Sequence, residues 1–174
     1  MHDRDTTLAP LYVKVIDDRL YEYGLPAHAT PGAAGGDLRA MRLGLDDKAK
    51  PLDTPAPLYP GQRLLIGTGV RVGLASPEYV GIVASRSGLS LKYGVRVAQG
   101  IGVIDSDYRC ELGVILTNDS NDVYSIQPGE RVAQLLVQPV QQWTPTVVTD
   151  LEAMMRMANA GGDRGGGFGS TGGA

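Results

Sequence analysis

"GIGVIDSDYRCELGVILTN", residues 100–118, sets two apolar, β-branched runs on either side of a polar centre, "DSDYR". Runs of Val, Ile and Leu bounded by Gly and Asp are strand signals. Between two such strands Asp105 is rigidly placed, as a positioned base requires. It directly follows "GVI", so its carboxylate is expected to be partly desolvated, which would raise its pKa and make it a better base. Tyr108, three residues on, offers a flat ring to a sugar or base. A hairpin loop with Asx-turn chemistry accounts for the same residues equally well.

The pattern continues outward. "LYVKVI" from Leu11, "RLLIGTGVRVGL", "EYVGIVAS", "GVRVAQGIGVID", "VYSI" and "RVAQLLVQPVQQW" are further strand signals, and "TPGAAGGDLRA" turns back into a strand near Leu38. Pro-Gly pairs at Pro60-Gly61 and Pro128-Gly129 predict tight turns. "NDSND" (Asn118 to Asp122) reads as a hairpin loop, and the Pro-rich Asp46 to Arg63 segment as a surface loop. Many short strands at regular spacing indicate an all-β sandwich or barrel. One short helix is expected over Leu151 to Gly162, with Asp150 as its N-cap. The division expected is a β domain over residues 1–150, then a helix and a flexible Gly-rich arm over 151–174.

Composition narrows the function. Of 174 residues, 43% are hydrophobic and 20% charged, with a net charge of −3, and no Lys/Arg cluster suggests a nucleic-acid or anionic-membrane surface. The single Cys110 excludes an intrachain disulfide and fits a reducing, cytoplasmic compartment. Two His and one Cys leave no ordinary zinc site. Any metal is therefore expected to be a hard cation held by oxygens.

Three more segments could carry chemistry. Arg86, Ser87 and Gly88 follow the strand "EYVGIVA" and present a cation, a hydroxyl and a bare backbone N–H, enough to grip a phosphate oxygen or to make a solvated turn. Gln134 is polar within an otherwise apolar strand, either facing solvent by alternation or aimed as a hydrogen-bonder. The tail "RGGGFGSTG" combines backbone that can approach a polyphosphate closely with Arg164, Ser170 and Thr171. It lacks the Gly-Lys-Ser/Thr of a P-loop. Its Phe168 is the one Phe of the chain.

The ordered set "AGGDLRA", "SRSGL", "GVIDSDYRCEL", "GERVAQL" and "RGGGFGSTG" closely resembles the five motifs of the trimeric deoxyuridine triphosphatase (dUTPase) family, over about Leu11 to Gly172. The resemblance implies a distorted jelly-roll (β-clip) domain assembled as a homotrimer, with sites built from more than one chain. It implies hydrolysis of dUTP to dUMP and pyrophosphate, which supplies dUMP for dTTP synthesis and keeps uracil out of DNA. Mg²⁺ would be held mainly by triphosphate oxygens and water. Asp105 would activate the attacking water, and Tyr108 would pack on the deoxyribose and exclude a 2′-hydroxyl. The backbone of a hairpin from Gln99 through Gly102, Val103 and Ile104 would pair with the uracil edge. Arg86, Ser87 and Gly88 would hold phosphates, Gln134 would reach the α-phosphate, and Asp37 would be structural or outer-shell to the metal. In the tail, Phe168 would stack on uracil, and Arg164, Gly169, Ser170 and Thr171 would close over the phosphates. Gly113 falls at a substrate-contact position where a longer side chain is common. Gln99 stands for a usual Asn and Cys110 for a usual Gly, and three residues rather than four separate Arg164 from Phe168.

Two alternatives differ in class. A dCTP deaminase of the same fold would carry Arg and Glu where this chain has Leu91 and Ile115. A non-catalytic, nucleotide-binding regulatory module would need no water-activating Asp105.

Overall fold

Apolar runs and turn residues organise the chain in the order β1 (Leu11–Val15), α1 (Leu20–Tyr23), β2 (Gly36–Arg39), β3 (Arg42–Leu43), a 3-10 turn (Asp46–Lys48), β4 (Lys50–Pro51), β5 (Ala56–Leu58), β6 (Arg63–Leu74), β7 (Tyr79–Ser85), α2 (Ser87–Tyr93), β8 (Val95–Val97), β9 (Ile101–Ile104), β10 (Glu111–Asn118), β11 (Tyr124–Ile126), β12 (Arg131–Pro139) and α3 (Leu151–Met157). The structure is a computed structural model, and it describes residues 11–157. A first compact unit runs through Gln142 and a second begins at Trp143. In the second, Asp150 caps α3 by accepting the Ala153 N–H at 2.6 Å, as the sequence predicts.

All strand pairs are antiparallel. One sheet runs β4-β3-β6-β10-β8 with β1 added on β6, a second runs β2-β12-β7-β9, and β11-β5 form a third. This all-β, jelly-roll-like arrangement matches the expected class. Alternation explains which faces meet: in β10 Leu112, Val114 and Leu116 are buried, while Gly113 and Ile115 face outward. They join Leu38, Ile66, Val83, Val97, Ile126, Val132 and Leu135 in one core. Burial of each such side chain contributes about 1.5–3 kcal/mol.

β6 serves two sets of partners because it bends. Gly67 and the residues before it pair with β3 and β10, Val70 to Leu74 pair with β1, and Arg71 also lies opposite Glu111 of β10 across a register shift. Between them Gly69 has φ +72, and a Cβ there would lie 2.8 Å from that of Asp17. Only glycine has both the conformation and the room.

The structure corrects four expectations. The Asp46–Pro60 segment is not a plain surface loop: it forms the 3-10 turn, β4 and β5, and it buries Leu52, Ala56 and Leu58. Pro57 is tolerated because β5 pairs on one side only. "NDSND" does not close a hairpin, since β11 pairs with β5 and not with β10. The Asn118 amide fixes this crossover, donating to Leu58 O at 2.9 Å and Asp122 O at 2.7 Å. β8 and β9 also form no hairpin, because β8 pairs with β10 and β9 with β7. Finally, Arg86–Gly88 do not make a simple turn: they open α2, whose Gly and two Ser mask helical character in the sequence.

Candidate active site

β12 runs between β2 and β7, and its register brings three separate sequence segments together. Gln134 lies opposite Asp37 on one side and opposite Ala84 on the other. Asp37, Arg86, Ser87, Gly88, Gln134 and Arg131 line a cleft of about 230 Å³. Asp37 Oδ1 meets Arg86 Nε at 3.1 Å, and Oδ2 meets Arg131 Nη1 at 3.2 Å. Arg86 Nη1 donates to Arg131 O at 2.9 Å, and Gln134 Nε2 donates to Ser85 O at 3.0 Å. Arg86 takes an extended conformation at the N-cap of α2 and supplies no side-chain cap, so the first N–H groups of that helix lack one, and Ser87 and Gly88 at its start line the cleft.

Arg39 packs behind this cluster, donating to Gly24 O at 3.1 Å and Gly129 O at 2.9 Å. Burial, and then the Arg131 charge, lower its pKa from the usual arginine value, while Asp37 opposes the shift. Two guanidinium groups thus share one carboxylate, with the Arg39 charge close behind them. The excess positive charge, in a cleft with bare N–H groups, suits an oxyanion with several oxygens.

Sequence reasoning missed Arg131. Its segment drew attention to Gln134 alone, and the pairing with Asp37 spans 94 residues. The signal that could have found it is the lone Arg opening a strand in the same segment as Gln134.

A second group of residues lies elsewhere on the chain. β9 is the edge strand of its sheet, so among the described residues the backbone groups on its outer side, through Gly102, Val103 and Ile104, have no neighbouring strand. The Gln99 amide lies over Gly102. Asp105 follows β9 and is exposed, so this chain alone does not supply the desolvation expected of it. Tyr108 is half-buried against the core, with its hydroxyl donating to Glu111 O at 2.7 Å. Burial raises its pKa above the usual phenol value. Gly113 stands apart, paired with Gly67, where a Cβ would press on Leu45 at 2.9 Å. Leu91 and Ile115, the positions that would distinguish a deaminase, are both exposed.

The two groups do not meet in one chain. Ile104 lies opposite Gly81 and Gln134 opposite Ala84 along β7. At about 3.3 Å per residue and about 4.8 Å per strand, Asp105 and Gln134 are on the order of 15 Å apart. Arg164, Phe168, Gly169, Ser170 and Thr171 lie outside the described residues.

Among the described residues, no group of three or more His, Cys, Asp or Glu side chains could hold a metal ion, and both Asp37 oxygens are engaged by guanidinium groups. These side chains do not form a cage for Mg²⁺. No described helix is long and apolar enough to cross a membrane.

The dUTPase family model matches residues 22–172. The deoxyuridine 5'-triphosphate nucleotidohydrolase of Idiomarina loihiensis is 41% identical over 162 residues, covering 92% of this chain and 95% of its own. That of Aeromonas salmonicida is 40% identical over 161 residues, with 92% and 95% covered. Among solved structures, a mutant dUTPase of Staphylococcus bacteriophage 80alpha with dUpNHpp is similar with a TM-score of 0.70 at 24% identity, covering 94% of this chain and 98% of that one. A mutant dUTPase from phage phi11 of S. aureus, described with a structural Mg(II) ion, gives 0.66 at 22% identity, covering 82% and 99%. At these identities the solved structures speak to the fold. With the family model spanning nearly the whole β domain and relatives at about 40% identity, the chain belongs to the dUTPase family.

Proposed function

We propose that this chain is a dUTP diphosphatase, hydrolysing dUTP to dUMP and pyrophosphate. The relatives at about 40% identity are named for the hydrolysis of this nucleotide. The observation that carries the reading is the Asp37–Arg86–Arg131 cluster, which gathers excess positive charge and Gln134 into one cleft. Such a cleft binds the triphosphate through charge-assisted hydrogen bonds.

In this reading Asp105 takes a proton from water, whose oxygen attacks the α-phosphorus as pyrophosphate leaves. Gln134 holds an α-phosphate oxygen. The free edge of β9 pairs with uracil, and a methyl at the thymine position meets that backbone. Tyr108 lies against the deoxyribose where a 2′-hydroxyl would clash. A separation on the order of 15 Å between Asp105 and Gln134 is too long for one chain to reach the same phosphorus. It supports sites shared between copies in a homotrimer. Mg²⁺, when bound, would neutralise charge on the phosphates, with no described side chain assigned to hold it directly. Outside the described residues, the family resemblance assigns Phe168 to uracil and Arg164, Gly169, Ser170 and Thr171 to the phosphates. The single Cys110 supports a reducing, cytoplasmic setting.

Assay of pyrophosphate release from a panel of dNTPs and NTPs with Mg²⁺ tests the reading. Release from dUTP alone is expected. Ammonia release from dCTP would overturn it in favour of deamination. Binding of dUTP without turnover would favour a regulatory module.

A further inference from the structure

We propose that Glu111 is a positioning residue that enforces the choice of deoxyribose over ribose by anchoring Tyr108; the proposal rests on the reading of Tyr108 given above. Glu111 is fully buried. Its Oε1 accepts the Gly69 N–H at 2.9 Å, and its Oε2 accepts the Asp46 N–H at 2.9 Å and Arg42 Nη1 at 3.2 Å. Three donors thus come from the bend of β6, the start of the 3-10 turn and β3. The carboxylate lies so close to Gly67 that a Cβ there would stand 2.6 Å from Oε1. A buried carboxylate with three donors has one orientation, because moving it strands the charge.

The ring of contacts closes on itself. Arg42 Nη2 donates to Asp46 O at 3.0 Å, and Arg71 Nη2 meets Asp46 Oδ1 at 2.8 Å. Asp46 has φ +50, and it is the one non-glycine with positive φ among the described residues. This uncommon conformation aims its N–H at Glu111.

Anchoring matters because of what hangs from the main chain of Glu111. Its carbonyl receives the Tyr108 hydroxyl, and the Tyr108 N–H donates to Asp105 O at 3.1 Å. The residue is therefore held by its hydroxyl at one end and by its backbone at the other. A ring that excludes a 2′-oxygen by contact works only if it cannot yield by a fraction of an ångström. Burial raises the phenol's pKa, so it remains the donor across the neutral range.

The test measures kcat/KM for dUTP and for UTP in the wild type, Glu111→Gln, Tyr108→Phe and Tyr108→Ala, with thermal melts of each. Loss of one tethering hydrogen bond corresponds to a change of up to about tenfold in a rate ratio. Tyr108→Phe and Glu111→Gln are each expected to lower the dUTP-over-UTP ratio by that amount, chiefly by raising UTP turnover. Together their effects should be less than additive. If Tyr108→Ala leaves the ratio unchanged, both the Tyr108 reading and this proposal fall. If Tyr108→Ala lowers it while Tyr108→Phe and Glu111→Gln only lower the melting temperature, the reading stands and the proposal falls. Should Glu111→Gln not fold, Tyr108→Phe decides, since it removes the tether and leaves the buried carboxylate intact.

Discussion

Arg131 owes its place to a single carboxylate, since Asp37 holds it and Arg86 in the same cleft. A charged hydrogen bond of this kind is worth about 1.5–3 kcal/mol. Arg131→Gln is therefore expected to raise KM for dUTP on the order of tenfold to a hundredfold, with a smaller change in kcat, in steady-state assays. Asp105→Asn should lower kcat by roughly 10²–10⁴, the usual worth of a general base. It should still bind a non-hydrolysable dUTP analogue, as calorimetry can measure. Wild-type turnover in that variant would remove Asp105 from the mechanism. Single residues divide cleanly in how readable they were. Asp37, Arg86 and Gln134 each lie in a short segment with its own chemical character. Arg131 and Glu111 depend on partners 94 and 65 residues away, and no local pattern encodes such pairs.

Elements were legible where alternation was strong and hidden where tertiary contacts override propensity. β6, β7, β10 and β12 follow their apolar runs. α2 does not, because "SGLSLKY" is a poor helix sequence that stops at Gly94 in the left-handed conformation. The Pro-rich stretch hid β5 because Leu52, Ala56 and Leu58 alternate with polar and Pro residues too sparsely to read as a strand. Leu58 is completely buried, so Leu58→Ala should cost about 2–5 kcal/mol in denaturant melts. The turn before α1 is pinned differently. Arg19 bonds Asp17 at 2.6 and 2.9 Å, Met41 O at 2.8 Å and Leu52 O at 3.2 Å. The side-chain hydrogen bond from Arg19 holds the Asp17 carboxyl below the ordinary carboxylate range, against the opposing effect of burial. A depressed pKa stabilises the fold at pH above the unfolded value near 3.9 and loses that stabilisation as pH falls through the lower, folded one. The stability gap between wild type and Asp17→Asn should therefore be constant from neutral pH to about pH 5 and close below it. A gap independent of pH would show that Asp17 acts through packing alone.

At the scale of the molecule, the loop bearing Asp105 and the cleft of Asp37, Arg86 and Arg131 sit at different places on the second sheet. Two inactive variants should therefore repair each other. Asp105→Asn and Arg86→Ala subunits, unfolded together and refolded as mixtures, are expected to regain part of the dUTP hydrolysis that neither shows alone. No recovery in the mixture would mean that each site is complete within one chain. The family-level fold was legible because five motifs recur in order. The proposed sharing of sites between copies rests on the family resemblance, since no spacing within one chain encodes it. A different consequence follows from the position of β12. It is the last strand of the β domain, yet it lies between β2 and β7. While the ribosome is still adding residues before Arg131, β2 and β7 have no partner between them, and Leu38 and Val83 lack their flanking neighbours Ala133 and Leu135. Nascent chains arrested before residue 131 should depend on chaperones and be cut readily by protease. Chains released beyond residue 142 should acquire protection in one step.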